Sequence, residues 1–464
     1  MEKKPQKPIY ILMVLCITML IGVFLSVLMV MFTRVVLVKE LGVRNAFTAL
    51  LFGRNIQQLN SVEETATAVE IPNVLNWEAQ YPFPQIEMTI AEQVQKDERT
   101  KRTQLDVYTE KIETLKRRIE AYATTLLLGY QQETELARKY ETLIGWNFAS
   151  YGEYNGVIEL SDGYLTSYVE QKNVTEQIEA LKDFNDYARE HKINLVYIQA
   201  PYKISKYEDK KISGTVDFSN QNVDNLLEGL QLNGVANLDL REVIREEGLS
   251  HHELFYRTDH HWLTTTGIWG AQEIMKYCNE QLWSTADISL LDLERFEHVL
   301  YPEWFLGSQG KKFTLGKTRP DDFIVLYPKY PTHFYYQVPQ AEIAVEGDYS
   351  VTYDMRQIEE KDYYGKNPYA GCNYGDQPVI KIENMLATDH KKILIIRDSF
   401  ADCMISGLAL CEKEVDALDL RQFTGSVETY IEEMNPDIII VMYTASDIGG
   451  EIGWDSHRSK FDFR

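Results

Sequence analysis

The feature that most restricts how this chain can fold is a series of short, continuous apolar runs alternating with segments of helical period. Residues 193–198, 237–240, 392–396, 417–420 and 437–442 read as strands, too short for surface helices and mostly apolar at 193–198, 392–396 and 437–442. Residues 174–190, 223–232 and 264–280 read as helices. In the first of these Ile178, Leu181, Phe184 and Ala188 share a face, and Asn173 or Thr175 stands where a cap belongs. Strand followed by helix, repeated, predicts an α/β fold with a parallel sheet flanked by helices on both faces. Such sheets collect their ligands at the carboxyl ends of the strands. Pro201, Arg241 and Ser399 all fall just past such ends.

Two stretches carry chemistry. Thr258-Asp259-His260-His261-Trp262 places a carboxylate two residues from an imidazole, with a second imidazole between. Far downstream the apolar run at 393–396 passes straight into Arg397-Asp398-Ser399-Phe400. Serine, histidine and aspartate are the parts of a nucleophilic triad, in which the hydroxyl attacks, the imidazole takes its proton and the carboxylate holds the imidazole's tautomer. On its own Ser399 could equally be a helix N-cap. The Asp-x-His segment shifts the reading to Ser399 as nucleophile, His261 as base and Asp259 as the orienting acid, with His260 as the alternative base. His251 and His252 are assigned to packing. A metal reading lacks support, because no HExxH helix or Cys/His cluster accompanies these residues.

On these two motifs the chain resembles the DHHW proteins, relatives of the alginate O-acetyltransferase group with an SGNH hydrolase-like fold. The likeness spans roughly residues 145–447, and it is this likeness that selects His261 over His260. It also implies a polysaccharide acceptor, no cofactor, and an acetyl donor supplied by a multi-spanning membrane-bound O-acyltransferase. Lys203, in Pro201-Tyr202-Lys203, resembles a Pro-x-Lys segment of the family. Arg421 follows a strand end on the same side. Either could hold a sugar or an acyl oxygen, although both are as easily surface cations. Arg397 stands where SGNH enzymes usually carry glycine, which leaves the oxyanion hole unassigned.

Charge narrows the partners. A formal net charge of -23 sets nucleic acid aside, since phosphate backbones require a basic face. The five cysteines show no CxxC spacing, and a chain of this size needs no disulfide framework. One bond among Cys278, Cys372, Cys403 and Cys411 stays open.

The N-terminal part reads differently. Residues 1–8 carry Lys3, Lys4 and Lys7, and residues 9–32 form a mostly apolar run without charge. That run is long enough to cross a hydrocarbon core of about 30 Å as a helix, and it lacks a small-x-small cleavage pattern. A short cytoplasmic tail, a single uncleaved transmembrane anchor and an extracellular remainder are therefore expected. Residues 33–144 are expected to form a helical stalk or linker. Within it Leu105, Tyr108, Ile112, Leu115, Ile119, Tyr122 and Leu126 make an apolar seam, which suits either a packed helix or a coiled coil. The catalytic domain is expected over 145–464. It opens with a hairpin near 155–165 and carries an insertion at 283–390, which contains a flexible polar loop at 307–312.

The expected function is serine-dependent O-acetyl transfer to, or removal from, a cell-surface or exported polysaccharide. The rival from another class is a catalytically silent envelope assembly protein acting through the seam at 105–126.

Overall fold

The computed structural model describes residues 157–208, 210, 216–449 and 460–464. All lie in the second of the two units into which the chain divides, Arg138–Arg464. The expected tail, anchor, stalk and seam fall outside the described residues. Among the described residues no helix is long and apolar enough to cross a membrane.

Twelve strands are described. They are β1 (Ile158–Glu159), β2 (Leu165–Thr166), β3 (Asn194–Gln199), β4 (Asn237–Asp239), β5 (Phe296–Phe305), β6 (Asp321–Pro328), β7 (Phe334–Val338), β8 (Ile343–Gly347), β9 (Val379–Asn384), β10 (Lys392–Arg397), β11 (Glu414–Leu418) and β12 (Ile438–Tyr443). The helices are α1 (Thr175–Glu190), α2 (Ser219–Leu232), α3 (Leu240–Glu246), α4 (Thr264–Gln281), α5 (Ser308–Phe313), α6 (Ile405–Cys411) and α7 (Val427–Met434). Eight strands form one sheet in the order β4-β3-β12-β10-β11-β9-β7-β8. The first five run parallel, as the sequence predicts. The remaining three are antiparallel, so the sheet is mixed rather than wholly parallel. Those three strands come from the 283–390 segment, which is therefore not a simple insertion but completes the sheet. Its two other strands, β5 and β6, pair only with each other. The expected hairpin is present as β1–β2, with Ile158 opposite Thr166.

The layers follow from alternation along the central strands. Val196, Ile198, Ile393, Ile395, Ile438, Ile440 and Met442 face one core with α4 and α6. Leu195, Tyr197, Leu394, Ile396, Ile439, Val441 and Tyr443 face the other with α1, α2 and α7. A strand buried on both faces must be apolar at every position, which explains why β12 is Ile-Ile-Ile-Val-Met-Tyr with every residue buried. On α1 the face Leu181, Phe184 and Ala188 is buried in the second core. The described cysteines, Cys278, Cys372, Cys403 and Cys411, are all free, buried thiols.

This arrangement sets the site. Ser399 follows β10, near the centre of the sheet, and helix α4 starts directly after Trp262 and Leu263. Close packing joins the two. A methyl group at Gly267 of α4 would lie 2.3 Å from Cys403 Sγ in the serine's own turn, so only glycine lets that helix approach the serine turn.

Candidate active site

The serine turn is a short 3-10 segment, Ser399–Cys403, capped by Asp398. Asp398 Oδ1 accepts from the Phe400 N–H at 3.0 Å and Oδ2 from the Thr444 N–H at 2.7 Å. This carboxyl is buried. Burial, and then neighbouring Asp447, push its pKa up to about 7. Arg397, where a glycine was expected, is completely buried. Its guanidinium pairs with Asp402 at 2.7 Å and Asp376 at 3.2 Å. The arginine therefore ties the serine turn to the 375–377 loop.

Asp259 and His261 lie on a tight segment before α4. An antiparallel bridge joins Phe255 to Trp262, and the Tyr256 N–H donates to the His261 carbonyl at 3.2 Å. Trp262 is wholly buried, and its Nε1 donates to the Phe400 carbonyl at 2.8 Å. The indole of the motif thus fastens the base segment to the serine turn.

Across this junction the three predicted residues meet. Ser399 Oγ lies 2.7 Å from His261 Nε2, and His261 Nδ1 lies 2.5 Å from Asp259 Oδ1. A carboxylate only accepts, so Nδ1 carries the proton and Nε2 is left to accept from the serine hydroxyl. Asp259 is fully engaged: Oδ1 also accepts from the His261 N–H at 3.1 Å, and Oδ2 from the Ser308 N–H at 2.6 Å. Burial would raise this carboxyl, but His260, His261 and the Ser308 N–H outweigh it and hold the pKa well below the usual carboxylate range. His260, the alternative base, is turned toward solvent. Its Nδ1 is 3.0 Å from Ser308 Oγ, and its side chain is 41% exposed.

Two sequence expectations change here. The stretch at 307–312 is not a flexible loop. It forms α5, whose first N–H binds the catalytic-acid candidate, and Gly307 packs directly on that residue. A methyl at Gly307 would lie 2.3 Å from Asp259 Cβ. Lys203 does not face a substrate. It is 0% exposed, and its Nζ donates to the Leu165 carbonyl at 2.7 Å, to Gln309 Oε1 at 3.3 Å and to the Asp259 carbonyl. Burial lowers its pKa to about 7, against the raising pull of Asp259, Asp321 and Asp162. Lys203 is thus a support beneath the acid.

Arg421, the other expected substrate cation, forks Asp419 through Nε and Nη2 at 2.8 and 2.6 Å and reaches Asp376 at 2.6 Å. Its bonds run to these carboxylates, not to the triad. Tyr369, which no local sequence pattern singles out, stacks on His261 with ring centroids 3.9 Å apart.

Asp259, His260 and His261 bring candidate ligand atoms within 4.8 Å of one another, a spacing that a metal could use. Two of those atoms are hydrogen-bonded to each other, however, and the second nitrogen of His261 is on Ser399. The trio reads as a hydrogen-bonded relay.

Residues 160–294 match the model of the SGNH hydrolase-like domain of the acetyltransferase AlgX. Over that stretch the chain is similar to this domain, and its fold is SGNH-like. Among solved structures, Bacillus cereus PatB1 bearing a sulfonyl adduct is similar over 66% of this chain and 98% of its own, at 19% identity and a TM-score of 0.54. A DHHW family protein from Eubacterium siraeum is similar over 65% of this chain and 94% of its own, at 16% identity and a TM-score of 0.50. No curated protein matches. The family match contains Asp259 and His261 and ends before Ser399. The structural likenesses show that the fold extends well beyond the matched stretch.

Proposed function

We propose that this chain transfers O-acetyl groups to, or removes them from, a cell-surface or exported polysaccharide through an acyl-enzyme on Ser399. The reading is carried by the unbroken hydrogen-bond chain from Ser399 Oγ through His261 to Asp259. In the proposed step, Oγ attacks an acetyl carbonyl while Nε2 of His261 takes the hydroxyl proton. The carbonyl oxygen becomes an oxyanion, and collapse expels the donor's leaving group, which receives the proton from His261. A sugar hydroxyl or water then attacks the acetyl-serine, with His261 again as base.

An oxyanion needs aimed donors. The Phe400 N–H goes to Asp398 Oδ1 and the Ala401 N–H to the Asp398 carbonyl. Helix geometry leaves the Ser399 N–H at the start of this turn without an intrahelical acceptor, and it is assigned as one oxyanion donor. The likeness to an acetyltransferase domain supports acetyl as the acyl group. Under this reading a membrane-bound O-acyltransferase supplies the acetyl donor. The catalytic domain lies outside the cell, held to the membrane by residues 9–32.

The test is hydrolysis of a chromogenic acetyl ester by the full chain, beside Ser399→Ala and His261→Ala. Wild type should release acetate, and each variant should fall by about 10³-fold or more. Variants as active as wild type would end the reading and favour the assembly-protein alternative. Adding acceptor glycan separates the two outcomes of the acyl-enzyme: acetylated sugar marks a transferase, and unchanged acetate release marks an esterase.

A further inference from the structure

Tyr369 sits in the 3-10 segment Pro368–Gly371, in the middle of the long stretch between base and nucleophile. It is 1% exposed. Its ring lies almost parallel to the His261 imidazole, 12° between planes at 3.9 Å. His260 lies 3.7 Å from the same imidazole at 38°. Two rings that close cannot share one face, so His261 is held between them. The Tyr369 hydroxyl reaches the other end of the relay. It is 3.1 Å from the carbonyl oxygens of both Ser399 and Phe400. Burial, with Cys403 and Asp402 nearby, keeps that phenol well above its ordinary pKa, so it stays a donor. One side chain therefore touches the base by its face and the nucleophile's backbone by its hydroxyl.

We propose that Tyr369 is a positioning residue with two parts: its ring favours the imidazolium that forms on His261, and its hydroxyl fixes the turn that carries Ser399. The inference rests on His261 acting as the base for Ser399. An aromatic face is negative, and a cation placed over it in a dry site is stabilised. A neutral imidazole gains only ordinary stacking. The difference appears as the proton moves from Oγ to Nε2, so it lowers the barrier without tightening the ground state.

The test uses the full chain and its Ser399-dependent hydrolysis of a chromogenic acetyl ester. Tyr369→Phe keeps the ring and loses only the hydroxyl, and should cost a few-fold. Tyr369→Leu removes the ring and should cost about 30-fold in kcat/KM, equivalent to about 2 kcal/mol. Because the leucine variant could misfold, a second series keeps the shape and changes only the charge on the ring face: phenylalanine analogues of increasing fluorination placed at position 369. The rate should fall steadily as fluorine withdraws electrons. A flat series would show that the ring only packs, and would overturn the proposal. Ester hydrolysis that persists in Ser399→Ala would instead end the triad reading and this inference together.

Discussion

His261 and His252 each set Nδ1 against an aspartate, and they are about equally buried, 6% and 5% exposed. They end on different partners. His261 Nε2 faces the Ser399 hydroxyl, which can donate. His252 Nδ1 meets Asp162, and its Nε2 lies 3.1 Å from the Lys203 carbonyl. Carboxylates and carbonyls can only accept, so neither nitrogen of His252 meets a hydroxyl whose proton it could take. The third partner decides whether an aspartate–histidine pair can be a base. The two pairs are also joined. The backbone of Lys203 accepts from His252 while its amine donates to the Asp259 carbonyl. On the proposed reading, one pair does the chemistry and the other holds the support on which it rests.

The sharpest way to break this comparison is to remove each ring. His261→Ala should lose about 10³-fold or more of ester hydrolysis. His252→Ala should stay within about tenfold of wild type, with the cost appearing in urea unfolding as about 1–3 kcal/mol. Equal losses in activity would erase the distinction. Next come the aspartates. Asp259→Asn presents an amide to Nδ1 and disturbs the tautomer, so kcat should drop by about 10²- to 10⁴-fold, whereas Asp162→Asn should leave kcat nearly unchanged. A smaller loss is expected from Gly307→Ala. Its methyl would collide with Asp259 Cβ, and displacing that carboxylate should cost about 10²-fold in kcat while hardly touching the His252 pair.

The smallest effect concerns pH and the residue that links the pairs. The pKa of Lys203 falls from 10.5 to about 7 on burial. Between those values the unfolded chain holds a proton that the folded chain does not, so unfolding takes up a proton and stability rises with pH. The slope should reach up to about 1.4 kcal/mol per pH unit above pH 7. Urea titrations of Lys203→Met should lack that slope.

Much of the site was legible because each half is a local pattern. The Asp-x-His-Trp segment and the strand-to-serine turn are read within a few residues, and the apolar runs between helices imply the sheet that brings them together. What was missed depends on distant contacts. Helix α5 is only six residues long, too short for a helical period to emerge from Gly307-Ser308-Gln309-Gly310, so its N–H on Asp259 could not be foreseen. Lys203 looks like a surface cation until three carbonyl oxygens enclose it. Arg397 reads as a missing glycine because its carboxylate partners, Asp402 and Asp376, become partners only in the fold. Tyr369 is one of 29 tyrosines, and nothing local sets it apart. Strand β7 did carry a readable signal: Phe334, Tyr336 and Val338 alternate inward, the period of a half-buried strand.

The most direct measurement is stoichiometric reaction of the full chain with a sulfonyl fluoride, mapped by peptide mass spectrometry and followed by residual ester hydrolysis. The account predicts a single sulfonyl group on Ser399, loss of activity in step with labelling, and no labelling in His261→Ala on the same time scale. Labelling elsewhere, or full activity in a chain labelled at Ser399, would contradict it.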